Sequence, residues 1–303
     1  MSRLLIGTTS GLFELDGGVA RLDPALDERD VTAIAAGGDE VWAVTDGSAV
    51  VRRDRGEPWT EVARSDGLTL TCVVVTPEGT FVGTEAARLF AVRDGALVPI
   101  EAFDLVEGRG EWFTPWGGPP AVRSLAVDLD GRIHANVHVG GIPRSVDGGR
   151  TWTPTIEIEA DIHQIVAHPE KSNVVLAAGA VRLALSEDGG TSWRIERPGL
   201  ASTYARAVTA ADDIVLMSAS SGPRGGRAAI YRAGIGPDVR FGKCADGLPE
   251  WFDGNIDTGW LVSSGSEVAF ATSDGAVFGS SDAGEHWRQI AADLPKIRWL
   301  SLA

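Results

Sequence analysis

Short apolar runs, each broken by glycine and polar turn residues, recur along the whole chain and read as many short strands. The runs fall into repeating units: an apolar strand, a turn, a second strand ending in small residues, and a third strand leading into a polar turn. First strands begin near Val31 (VTAIAAG), Leu70 (LTCVVVT), Val122 (VRSLAVD), Ile162 (IHQIVAH), Ala205 (ARAVTAA) and Thr258 (TGWLVSS), which makes six units. The chain ends supply a seventh, because 297–302 (IRWLSL) reads as another first strand, and 4–8 and 12–15 as the second and third strands it lacks. Pairing strands from the two termini closes the array into a ring and removes the edges that an open array would expose. The pattern predicts an all-β fold: a seven-bladed β-propeller of four-stranded antiparallel blades, closed by N- and C-terminal strands in one blade. On this reading residues 1–303 form one domain, with blades near 28–62, 68–100, 121–155, 160–199, 203–244, 255–291, and 296–303 joined to 1–22.

Three octapeptides mark the same point in their units: SVDGGRTW at 145–152, SEDGGTSW at 186–193 and SSDAGEHW at 280–287. A fourth, RRDRGEPW at 52–59, keeps only the Asp, Gly and Trp. The chemistry suits a tight reversal. A short carboxylate accepts hydrogen bonds from the backbone of its own turn, glycine takes the left-handed conformation, and the tryptophan fills the apolar gap beside it. His286 stands where the other boxes have Thr151 and Ser192, so it reads as structural. On these boxes the chain resembles the BNR/Asp-box repeat superfamily, which includes sialidases, sortilin-type domains, some endoglucanases and a photosystem assembly factor. The resemblance implies a propeller and leaves the activity open. Sialidases of that superfamily use an arginine triad, a Tyr–Glu nucleophile pair and an Asp acid/base on six blades. This chain has only Tyr204 and Tyr231, and its Gly141-Ile142-Pro143-Arg144 merely shares letters with the Arg-Ile-Pro signature, so it reads as no true sialidase.

Composition narrows the classes further. The 38 glycines, without collagen periodicity, fit many turns between short strands. A net charge of −15 opposes binding to nucleic acid phosphates and to anionic membranes. The apolar run after Met1 breaks too early for a secretory signal, and Cys72 and Cys244 lie in different units, so a cytoplasmic protein with reduced thiols is expected.

Propeller ligands sit over the central channel, on the face made by the approaches to each innermost strand and by the connections from second strands to third. In IHANVHV (133–139) the two-residue period puts His134, Asn136 and His138 on one face, and Asp161-Ile162-His163 opens the next unit with two polar side chains at i,i+2. His138 and His163, with Asp161 and Tyr204, form an expected acid/base cluster beside Asn136. The same two histidines could bind a divalent metal, or the group could simply satisfy its own hydrogen bonds. Arg123, Arg206 and Arg298 map to the same face and suit an anionic ligand, or alternatively ion pairs with Asp257 and Asp30. Asn255 and Asp257 lie on another approach. Trp112 and Trp116 sit in the long 103–120 connection, and with Trp251 could wall an organic ligand or cap the blades. The expected partner is a small anionic organic molecule, acted on by hydrolysis or elimination. A non-catalytic scaffold that binds a protein, and a glycan-processing propeller, are the alternatives.

Overall fold

In a computed structural model of the chain, which describes residues 2–302 except 116 and 181, every repeat unit folds as four antiparallel strands with the innermost first. The innermost strands are Val31–Gly37, Leu70–Thr76, Val122–Val127, Ile162–Ala167, Tyr204–Ala211, Leu261–Ser264 and Ile297–Leu302, and each packs against the next around the axis. We number the blades 1–7 in that order. In blade 7 the C-terminal strand pairs with Leu4–Thr8, from Leu4↔Leu302 to Thr8↔Ile297, and Gly11–Asp16 and Val19–Leu22 complete the sheet outward. The predicted seven-bladed ring and its closure are thus what the chain adopts.

Blade 6 departs locally from the pattern. Its ladder begins at Leu261, because Thr258 and Gly259 are engaged elsewhere. Thr258 Oγ1 donates to the His163 carbonyl (3.1 Å), and Gly259 N–H donates to Gln164 Oε1 (3.2 Å). The approach to blade 6 is thereby fastened to blade 4 across the intervening blade.

Apolar side chains fill the spaces between neighbouring blades. The largest cluster joins Leu216 of blade 5, Phe270 and Trp287 of blade 6, and Leu4 and Leu300 of blade 7. Each fully buried residue of this size contributes roughly 1.5–3 kcal/mol of transfer free energy. Cys72 and Cys244 are buried and free, and burial pushes their thiols up to about 12 and about 11, which leaves both inert near neutrality.

The three octapeptides form one turn between third and fourth strands. In the first, Ser145 Oγ accepts from Gly149 N–H (2.8 Å) and donates to Asp147 Oδ1 (2.9 Å). The Asp147 carboxylate accepts from the Thr151 amide (2.9 Å) and hydroxyl (2.7 Å), and Trp152 Nε1 donates to the Gly149 carbonyl (3.1 Å). Gly149 has φ 86°, a conformation that disfavours any side chain. The turns at 186–193 and 280–287 repeat the Ser–Asp core, and in the latter His286 Nδ1 lies 2.7 Å from Asp282 Oδ2, in place of the hydroxyl. His286 is thus a turn residue. Trp152 meets Phe103 edge-on at 5.0 Å, closing the gap under the connection from blade 2. The degenerate fourth copy lacks the serine, and its Asp54 instead pairs with Arg52.

Burial pushes the Asp147 carboxyl up, but the Thr151 and Ser145 hydrogen bonds outweigh it and lower the carboxyl from 3.8 to about 2. A carboxylate depressed in the folded state stabilises fully above its unfolded pKa, and the contribution is lost as pH falls through the folded one. Asp147→Ala should therefore cost about 1–2 kcal/mol at pH 7. In denaturant melts that difference should shrink as pH falls from about 4 towards 2; a difference independent of pH would contradict this role.

Candidate functional site

The channel mouth is built from one repeated irregularity. In six innermost strands the pairing register slips at the second residue or just after it, and a bulge of this kind redirects a side chain out of the sheet. The displaced residues are Thr32, Thr71, Arg123, His163, Arg206 and Arg298. Asp257, after buried Ile256, holds the matching place in blade 6. Thr32, Thr71, Arg123, Asp257 and Arg298 line a cavity of about 390 Å³ over the channel. The Asp boxes lie on the opposite face, since they join third strands to fourth.

The three ring arginines differ in their partners. Arg298 makes a two-pronged pair with Asp30 through Nε (2.9 Å) and Nη2 (2.8 Å). Arg206 Nη1 holds both oxygens of Asp257 at 3.0 Å; burial works against the Arg206 charge, but Asp257 outweighs it and raises the guanidinium pKa. Arg123 makes no hydrogen bond or ion pair among the described residues. Burial pulls its pKa down, partly offset by the Asp257 charge, and Arg206 adds repulsion. The ion-pair alternative thus describes Arg206 and Arg298, and leaves Arg123 facing the cavity.

Beside the cavity, at the seam of blades 3 and 4, His138, Asp161 and His163 converge. Asp161 Oδ1 lies 3.1 Å from His138 Nε2 and 3.5 Å from His163 Nε2. One donor atom from each of the three residues fits within 4.8 Å of the others, a spacing that could hold a metal ion. His163 Nδ1 lies 2.6 Å from the Ala205 carbonyl, and Tyr204 Oη lies 3.4 Å from His163 Nε2. Tyr204 also accepts from Arg206 Nη2 (3.4 Å), so hydrogen bonds link Arg206 through Tyr204 to His163. Burial pushes the Asp161 carboxyl up, but the two imidazoles together hold it well below the usual carboxylate range.

The local backbone differs from the expected strand. Asp161 precedes the blade 4 strand in a left-handed conformation (φ 46°, ψ 62°), and His163 is the bulged residue, so the two converge through a turn and a slip rather than along a regular i,i+2 face. His138 lies just beyond its strand, Ile133–Val137, in a turn where Val139, β-branched, also has φ 46°. Such conformations cost of order 1–3 kcal/mol each and persist only where the surroundings enforce them. Here the His138 amide donates to the Ala121 carbonyl (2.9 Å), and the Gly140 amide donates to the Val137 carbonyl (3.0 Å).

Other expected contacts take different places. Asn136 is fully buried, and its Nδ2 donates to Ser124 Oγ (3.3 Å), which also accepts from the Ile165 amide of blade 4 (3.0 Å). It fastens the seam. Asn255 spends its amide on the 218–227 loop, with Nδ2 donating to the Pro223 carbonyl (3.1 Å). Trp112 is a core residue, 5.8 Å from Phe103 and under the turn carrying His138: a Cβ on Gly140 would come within 3.0 Å of its ring. Trp116 lies outside the described residues. Trp251 is covered by Arg227 and Lys243. His134 pairs with Asp128 (3.3 Å) and His168 reaches the Asp212 carbonyl (2.8 Å), both away from the site. Thr32, Thr71 and Gln164 went unnoticed, although aligning the second residue of each first strand brings out the two threonines.

No family model matches the chain and no curated protein resembles it in sequence. Solved structures do resemble it in fold. The GH74 xyloglucanase from Xanthomonas campestris superposes with a TM-score of 0.70 at 14% identity, over 95% of this chain and 52% of that one. YCF48 from Cyanidioschyzon merolae gives 0.61 at 14% identity, over 87% and 86%. The WD40 propeller domain of Doa1 gives 0.60 at 16%, over 86% and 82%. This chain spans about half the length of the xyloglucanase, and at such identities the likeness establishes the propeller alone. Among the described residues no helix is long and apolar enough to cross a membrane.

Because Trp112 packs in the core, Trp112→Ala should destabilise the protein by about 3–5 kcal/mol in denaturant melts. A loss under about 1 kcal/mol, as expected for an exposed residue, would return it to the cavity wall.

Proposed function

We propose that the channel mouth binds a small anionic organic molecule, held by Arg123. The observation that carries this reading is a guanidinium lining a cavity with no counter-ion touching it, while the two neighbouring ring arginines are neutralised by Asp257 and Asp30. A carboxylate or phosphate oxygen placed there would replace water with charge-assisted hydrogen bonds. The His138–Asp161–His163 cluster with Tyr204 borders that position, and a reaction on the bound anion, hydrolysis or elimination, would be carried there. The Asp-box turns support reading the chain as a member of that propeller superfamily without sialidase chemistry. A protein-binding role draws support from Leu105 and Phe113, large apolar residues exposed on the long connection before blade 3.

The test is a thermal-shift screen of inorganic phosphate, phosphomonoesters, and mono- and dicarboxylates against wild type and Arg123→Gln. An anion at a hundred times its Kd stabilises by about 2.7 kcal/mol. That should raise Tm by several degrees in the wild type and not in Arg123→Gln. If no anion in the panel moves the wild type, or the variant responds equally, the reading fails.

A further inference from the structure

We propose that His138 Nε2, His163 Nε2 and the Asp161 carboxylate bind one divalent first-row transition-metal ion at the seam of blades 3 and 4. The chemical role of this ion rests on the anion reading, which it deepens: a Lewis acid would face the bound anion from beside Arg123.

The argument begins with where the protons are. The Ala205 carbonyl can only accept, so His163 Nδ1, 2.6 Å away, carries the hydrogen. In its neutral form His163 then presents the lone pair of Nε2 towards the carboxylate oxygen of Asp161, 3.5 Å away. A lone pair and a carboxylate oxygen repel unless a cation lies between them. One arrangement has Tyr204 Oη donate to His163 Nε2 (3.4 Å) and His138 Nε2–H donate to Asp161 (3.1 Å); the other has a metal ion shared by both nitrogens and the carboxylate.

Geometry favours the metal. Ligand atoms on a tetrahedral ion with bonds of about 2.0–2.1 Å lie roughly 3.4 Å apart. Asp161 Oδ1 stands 3.1 and 3.5 Å from the two imidazole nitrogens. No well-aligned hydrogen bond reaches that oxygen, although it is buried. His163 also has the outer bond that metal-ligating histidines use to fix their tautomer, here to a backbone carbonyl. Two imidazoles and one carboxylate suit zinc, iron or manganese and supply too few oxygens for calcium. The open side faces Tyr204, whose hydroxyl is 3.4 Å from His163 Nε2 and within reach of a metal-bound water or anion.

The experiment titrates the full-length, chelator-stripped protein with ZnCl2 by calorimetry, without added anion, and repeats the titration with CoCl2 to read visible ligand-field bands. One ion per chain is expected. Loss of an outer partner alone weakens metal sites 10–100-fold, so Asp161→Asn and His138→Gln should each weaken zinc binding by about 100-fold or more. His286→Ala, which removes the exposed imidazole near Asp282 and Asp246, should leave it unchanged. Histidine nitrogen NMR of the wild type keeps the test decisive if a variant misfolds: zinc should shift Nε2 of two histidines while Nδ1 of one stays protonated. Absence of stoichiometric binding, a proton on His163 Nε2 that zinc does not displace, or binding abolished by His286→Ala would overturn the proposal. Because no carboxylate or phosphate is added, failure here leaves the Arg123 result standing, and failure of the anion screen leaves a positive metal titration standing.

Discussion

Pairing of the last strand with the first is the constraint on which everything else hangs. Without that pairing blade 7 would lose its innermost strand, and the apolar faces of blades 1 and 6 that pack against it would be left uncovered. Once Ile297–Leu302 is zipped to Leu4–Thr8, the innermost strands stand around one channel, and six of them carry a bulged residue at its mouth. The Arg298–Asp30 pair shows the dependence directly, since it joins residues near opposite ends of the chain across the closed junction. No local propensity could bring those two together.

Electrostatics at the mouth runs against that of the whole molecule. The chain carries a net charge of −15, which repels anions at long range, yet at the mouth Arg206 and Arg298 are balanced by Asp257 and Asp30 and Arg123 is left without a paired carboxylate. At physiological salt the far field is screened within about 8 Å. Short-range contacts inside a partly desolvated cavity then decide what binds.

Much of this was legible in the sequence, because repetition makes weak signals add. The strand pattern counted the blades and the boxes dated their position within each unit. Topology then placed the site on the opposite face, which brought His138, Asp161, His163 and Tyr204 into one neighbourhood. Periodicity misled where the backbone leaves the regular strand: Asp161 is left-handed and His163 sits on a bulge, and neither feature has a signature in a two-residue alternation. Asn136 and Trp112 take protein partners for a different reason. Residue type says that a polar or aromatic side chain needs a partner, and only packing says whether the partner is Ser124, Phe103 or a ligand.

The bulge at the head of six innermost strands has a consequence for how such a protein can change. Buried neighbours such as Val31, Val122 and Ile297 hold the strand in the core, while the residue beside each is turned towards the channel. The mouth is therefore a short word, spelled with one letter per blade, that can be rewritten letter by letter with little effect on the hydrophobic grammar beneath. Here the word is Thr, Thr, Arg, His, Arg, Asp, Arg, and its uneven spelling breaks the ring's near-symmetry and gives the mouth a front and a back.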